Sequence, residues 1–568
     1  MKNNRQFLPQ SFEITTWKNL QPYFDTILEM PIATKETYET FLTNISELDS
    51  IVSEDLAWRY IKMTCDSSNQ ELENKYIDFV TNIQPFIAPY DDKINKKVVN
   101  SEFKTILESQ SDYHIYFRSL QNAINLFREE NIPINADLQT LAQKYGSITG
   151  SMAVEIDGET LTLQQASNKL KATDRDVRKN AYETINNKRL ENKTELDELF
   201  SELIAKRHQV ALNSGFDNFR DYMHKAMGRF DYSVQDCFNF HDAIEKVVVP
   251  LNKKIEAERQ KNLGLDALKP FDLGVDSLNR EPLKPFTDGK DLLEKSIACF
   301  NTVEPEFANN LSIMRDKGFL DLESRIGKAP GGYNYPLAES GIPFIFMNAA
   351  GSLRDVETMV HEGGHAMHSF LSEHLKLNAF KNAPMEVAEV ASMAMELISM
   401  EGWDKFLSNP EELKRAKIEQ LEGVIATLPW IATIDAFQHW LYTNPTHTLE
   451  ERTAAWIQVA KRFDTGITDM SGYEHYLANS WQKQLHLYEV PFYYIEYGFA
   501  QLGAIAMWRN VLINKKTGLD GYKNMLSKGY TVTIPELYQS GGIKFDFTHE
   551  YVGELFAFVW QELEDLKR

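Results

Sequence analysis

A mainly α-helical protein is predicted, and three observations predict it. Most of the chain carries apolar residues at helical spacing, with polar faces between them. Gly and Pro concentrate in a long excursion at residues 263–290. Strand-like patterning is confined to two short places, at residues 152–163 and 343–348. The chain has 568 residues, 43% hydrophobic and 25% charged, which is ordinary for a soluble globular protein and long enough for two or three domains.

In chain order, residues 17–110 alternate apolar stripes with polar faces and read as helices packed on one another. Tyr76, Phe79, Val80 and Ile83, stopped by Pro85, form one such stripe. Met152–Leu163 switches to period two around Asp157-Gly158, a dipeptide suited to a type I′ turn, and predicts a small β-hairpin. Thr173 with Asp176 forms a capping-box pattern that opens a charged helical stretch running to about Leu212. Asn213-Ser214-Gly215 breaks it, and an aromatic-rich helix follows over Phe216 to Phe230. A boundary near residue 200 divides the chain into an N-terminal helical lobe with the hairpin, 1–200, and a C-terminal domain, 201–568. Ala329-Pro330-Gly331-Gly332-Tyr333 precedes a strand at 343–348, where Pro343 suggests an edge position able to hold an extended peptide by main-chain hydrogen bonds.

Charge and composition exclude several classes. The net charge is −22, so a phosphate backbone or an anionic membrane surface would be repelled, and neither nucleic acid nor membrane is expected as a partner. Cys65, Cys237 and Cys299 are odd in number and have no C-x-x-C spacing, so neither a disulfide framework nor a cysteine metal site is suggested. They read as small buried residues. The first 17 residues hold no apolar leader core, and no stretch approaches the ~20 apolar residues a membrane span needs, so the expectation is a cytoplasmic protein.

The chemistry centres on Leu353–Ser372. His361 and His365 stand at i and i+4 on one helical face and can point at a single cation, and Glu362 beside them can reach a water at the metal's open position. This is the H-E-x-x-H signature of zinc hydrolases. Val356, Met359, Val360, Met367, Phe370 and Leu371 add an apolar stripe, so the motif lies in a core helix where its polar groups need partners. Gly363 and Gly364 each weaken the helix by roughly 1 kcal/mol relative to Ala, which points to close approach by another backbone or a substrate.

A catalytic zinc site takes three protein ligands, so a third must come from elsewhere. The next helix, with Pro384 as its first residue, offers Glu386, Glu389 and Glu396, which share a face; spacing does not choose among them. Glu373 reads as facing solvent. Glu357, Glu386 and Glu396 are candidates to orient the ligands. Residues 485–504 pack His486, Tyr488, Tyr493, Tyr494 and Tyr497 into a short span, and Tyr493 and Tyr497 share a helical face. Tyr488 and Tyr494 read as packing residues. His368 and His374 lie too far along the motif helix for the same metal, and His224, His241, His439 and His447 show no shared ligand spacing.

The stretch GGY…PFIFMNAAGSLRDVETMVHEGGH…APMEVAEVASMAMEL resembles the M3 family of zinc metallopeptidases, the thimet oligopeptidase group, and within it the oligoendopeptidase F branch. The likeness is strong over about 250 residues of the C-terminal half and loose in the N-terminal part. It implies one Zn2+ per chain bound by His361, His365 and Glu389, the last from the match Glu389-Val390-Ala391-Ser392, with Glu362 as general base and acid. It also implies that His486, Tyr493 and Tyr497 supply hydrogen-bond donors to the oxyanion, although the family's first tyrosine stands at a different distance from its histidine. Gly363 departs from a family position that often holds a larger residue. The implied fold is a zincin-like core with a small β-sheet and two helical lobes around a deep channel, and the implied activity is endopeptidase cleavage of short unstructured oligopeptides. A metallocarboxypeptidase of another all-helical H-E-x-x-H family and a non-catalytic peptide-binding scaffold are the alternatives.

Overall fold

The computed structural model describes residues 5–325, 327–329 and 331–568. Met1–Asn4, at the start of the segment read for a leader, and Pro330, in the Gly-rich approach to the motif, lie outside them.

Helices dominate. The N-terminal region stacks Trp17–Glu29, Lys35–Cys65, Gln70–Asn82, Gln84–Val99 and Ser111–Leu126 around Leu20, Phe24, Phe41, Phe79 and Phe117. The stripe ending at Ile83 stops as Pro85 predicts, because Pro85 sits in the first turn of the next helix, Gln84–Val99, instead of continuing the last. This layer docks on the rest of the protein through buried polar pairs. Arg5 bonds both carboxylate oxygens of Glu339, and Glu54 accepts from the Glu339 and Ser340 amides.

Strands β1 (Ala153–Ile156) and β2 (Glu159–Thr162) form the expected hairpin, with Asp157 at φ 58° and Gly158 at φ 80° across the turn. The charged stretch that follows differs from expectation in two ways. Asp174, not Thr173, caps it, its carboxylate accepting from the amides of Asp176 and Val177. It is also two helices, Arg175–Glu191 and Lys193–Asn213, parted at Asn192. Asp174 wins because a short carboxylate reaches those free amides and adds a negative charge at the positive helix end. Residues 263–288 form the expected excursion, relieved by a short 3-10 turn at Pro270–Asp272 and an isolated β-bridge from Leu268 to Thr468.

Strands β3 (Leu320–Glu323), β4 (Tyr333–Tyr335) and β5 (Phe344–Ala349) make a second sheet in the order β3-β5-β4. Here the edge-strand expectation fails. β5 is central, parallel to β3 and antiparallel to β4, and Phe344 to Met347 are buried on both faces. Pro343 precedes the first paired residue and so removes no ladder bond, while four consecutive large apolar residues suit a strand covered on both sides. The two edges are β3 and β4, and β4 is the one beside the motif helix.

The largest core unites the motif helix Leu353–Ser372 with Met385–Ile398, Ile495–Ile513 and the C-terminal helix His549–Lys567. No helix among the described residues is long and apolar enough to cross a membrane.

Candidate metal centre

Ser352 caps the motif helix, exchanging bonds with Asp355 at the fourth position, and Val356, Met359, Val360 and Met367 bury its apolar stripe. This fixes the orientation of the opposite face, where the His361 and His365 rings stand edge to face at 5.0 Å, each with about a fifth of its side chain exposed. Glu389 comes from the helix Met385–Ile398, reached after the short helix Asn378–Lys381, and Pro384 precedes it as the capping residue instead of opening it. Its Oε2 lies 3.4 Å from His361 Nε2 and 3.6 Å from His365 Nε2. Ligands of a tetrahedral zinc at about 2.1 Å stand about 3.4 Å apart, so the three donors fit that ion.

Gly364 permits the approach of the two helices. A Cβ there would sit 2.5 Å from the Ala391 carbonyl oxygen and 2.6 Å from the Ser392 Cα, so any side chain would push Glu389 away. The close approach is therefore to backbone. At Gly363 a Cβ would strike the buried Phe300 ring at 2.6 Å, and Phe300 occupies the space that a larger residue at 363 would need.

His361 and Glu389 are held from behind. Glu396 Oε1 lies 2.7 Å from His361 Nδ1, and its other oxygen accepts from Gln420. Glu389 accepts from Tyr493 at 2.6 Å on one oxygen and Ser392 at 3.1 Å on the other. Burial alone would raise the Glu389 carboxyl, but His365, His361 and Tyr493 outweigh it and bring it down to about 2. Burial lowers His361, yet Glu389 and Glu396 more than reverse this, while burial takes His365 down to about 4. Of the three candidate orienting glutamates, Glu396 is thus in contact. Glu386 accepts from Tyr232, and Glu357 pairs with Arg354.

Glu362 is buried, and burial carries its carboxyl up to about 7 against the opposing pull of His361. Its side chain faces the turn before β4, where a Cβ at Gly332 would come within 3.7 Å of Oε1, and Asn334 on β4 donates to its carbonyl. A free strand edge therefore lies directly beside Glu362.

The tyrosine span arrives from a turn that sequence reasoning missed. Phe492 has φ 66°, a left-handed conformation unusual for a bulky residue, and is held there by Gln438 on its amide and Arg229 on its carbonyl. The next residue, Tyr493, turns to Glu389. Tyr497 lies 3.3 Å from His486 Nε2, while Gln484 bonds His486 Nδ1 at 2.7 Å, and burial takes His486 down to about 4. Tyr488 is fully buried with its hydroxyl on the Leu196 carbonyl. Glu373, read as solvent-facing, is half-buried and paired with Lys381. Gln484, Gln438 and Arg229 carry no local pattern that would have marked them.

The description "Peptidase family M3" matches residues 169–555, and "Peptidase M3 N-terminal domain" matches residues 7–127. An oligoendopeptidase F homolog of Borreliella burgdorferi is 22% identical over 555 residues, covering 90% of each chain. Oligopeptidase PepF of Bacillus subtilis is 24% identical over 411 residues, covering 70% of this chain and 59% of that protein. A solved structure of Pz peptidase A with an inhibitor superposes with a TM-score of 0.93 at 24% identity over 99% of both chains. With a family match over most of its length and an H-E-x-x-H helix set against the helix that carries Glu389, the chain belongs to peptidase family M3 and is a metalloendopeptidase.

Proposed function

We propose that the protein is a zinc-dependent endopeptidase for short, unstructured oligopeptides, with one zinc at His361, His365 and Glu389. The observation that carries the reading is the three-donor cluster with Glu362 one residue from its first ligand and a free strand edge alongside. One carboxylate and two imidazoles suit zinc, whose Lewis acidity activates water and polarises a peptide carbonyl when bound.

The chain's own groups do the rest. Glu362, desolvated, takes a proton from the attacking water and later delivers it to the leaving amine. The β4 edge at Tyr333–Tyr335 accepts the substrate backbone in extended form, with Gly332 leaving room above Glu362. Tyr497 and His486 donate toward the developing oxyanion. Tyr493 takes a different part from the one first assigned, holding the Glu389 carboxylate by its 2.6 Å hydrogen bond. Residues 1–200 form one helical lobe and 201–568 the catalytic domain, enclosing a channel that folded substrates cannot enter, and the protein acts in the cytoplasm.

The test is mass spectrometry of an oligopeptide mixture digested with and without phenanthroline. Chelator-sensitive internal cuts in end-blocked peptides are expected. Stepwise release of C-terminal residues would instead identify a carboxypeptidase, and chelator-insensitive inertness of a zinc-free protein a scaffold.

A further inference from the structure

A second cluster of side chains with metal-ligating chemistry shares no residue with the proposed catalytic donors. Cys237 and His241 stand at i and i+4 on the helix Val234–Ala243, and Asp435 and His439 at i and i+4 on the long helix Pro410–Thr443. The two pairs face each other. Sγ of Cys237, a carboxylate oxygen of Asp435 and an imidazole nitrogen of His439 all lie within 4.8 Å of one another. All four side chains are buried: relative exposure is 1% for Cys237 and His241, 0% for Asp435 and 6% for His439. Phe238 and Phe492 wall His439, and Phe463 flanks His241.

We propose that Cys237, Asp435 and His439 form a second, structural metal site of the zinc type, which cross-links these two helices, with His241 holding the carboxylate by its 2.9 Å contact to Oδ2. The argument is one of charge and unmet valence. Asp435 is a completely buried carboxylate, and among the described residues no Lys or Arg pairs with it; only His241 and His439 do. With only imidazoles beside it and no fixed cation, the carboxylate sits in an aromatic wall, an expensive arrangement. A dication bound by one thiolate, one carboxylate and one imidazole is electrically neutral, which removes that cost.

The unpartnered atoms agree. Oδ1 of Asp435 and Nδ1 of His439 are buried with no hydrogen-bond partner. Cys237 has only a long 3.7 Å contact to the Ser233 carbonyl. His439 Nε2 hydrogen-bonds Asp435 Oδ2 at 3.1 Å, so each of these two residues keeps one ring or carboxylate atom without a partner. Thiolate and imidazole together favour zinc over magnesium or calcium. This metal would be additional to the single zinc expected from the sequence, and it stands whether or not that first site is catalytic.

The two sites differ in one spectroscopically useful way: only the second contains sulfur. The experiment is metal analysis of the full-length protein after dialysis against metal-free buffer, followed by exchange into cobalt. Wild type should hold about two zinc atoms per chain, and His361→Ala about one. Cobalt-loaded wild type and cobalt-loaded His361→Ala should both show a near-ultraviolet thiolate-to-cobalt charge-transfer band, and Cys237→Ser should lose it together with one metal. A wild type with one zinc per chain and no sulfur band overturns the proposal, as does a band that survives in Cys237→Ser. If Cys237→Ser does not fold, wild type and His361→Ala still decide.

Discussion

The two donor clusters are built from the same parts to opposite ends. Each draws an i, i+4 pair of donors from one helix and a third donor from another, a carboxylate at the first cluster and a thiol at the second, but their charge and exposure differ. At 361, 365 and 389, two neutral imidazoles and one carboxylate leave a bound dication with net positive charge, and the rings open partly to solvent. At 237, 435 and 439, a thiolate replaces one imidazole, the ion would be neutral, and the side chains are sealed. Residual charge with access suits an electrophile; neutrality with burial suits a structural tie. The contrast turns on Glu362, which has no counterpart at the second cluster.

The largest effect should therefore come from Glu362→Gln, which keeps shape and removes the base. Turnover of an end-blocked peptide should fall roughly a thousandfold, with zinc content and melting temperature unchanged. Near wild-type kcat in a zinc-loaded variant would take Glu362 out of the chemistry. Asp435→Ala should do the reverse. It strips two buried imidazoles of their acceptor, and a stability loss of about 3 kcal/mol is expected from urea unfolding, with KM for the same peptide little changed in the folded fraction. An equal loss of kcat at unchanged stability would mean that the two clusters are not separate in function.

How far the sequence reached follows the same division. The proposed metal donors could be named from the sequence because His361 and His365 share one helix and their chemistry is written in five residues, while Glu389 had to be chosen from three glutamates by family likeness. The second cluster was invisible because each helix contributes only one unremarkable pair, and nothing local says that residues 237 and 435 meet. Orienting contacts such as Gln420 to Glu396, and the left-handed Phe492 that aims Tyr493, depend on tertiary packing in the same way. The helical class was plain from periodicity. The reversed edge of the small sheet was not, since Pro343 can precede a central strand as easily as it can open an edge one.

Removing an orienting group should cost less than removing the base. Glu396→Ala frees His361 Nδ1, and zinc affinity at that site should weaken about 10- to 100-fold in a chelator titration. The sulfur-bearing site should keep its metal. Unchanged affinity would mean that Glu396 contacts His361 without steadying it.

The smallest effect is expected at Gly363, and its neighbour supplies the control. Alanine at either position returns about 1 kcal/mol of helix propensity. At 363 the new methyl meets the edge of the Phe300 ring, a side chain that can tilt at an overpacking cost of about 1–3 kcal/mol, so the net loss should be about 1 kcal/mol and zinc affinity should hold. At 364 the same methyl meets the backbone of Ala391 and Ser392, which cannot yield without carrying Glu389 with it. Gly364→Ala should therefore weaken zinc binding even where the protein stays folded. Calorimetry and zinc titration of the two variants separate the cases: equal zinc affinity in both would show that the helix spacing at Gly364 does not set the position of the third donor.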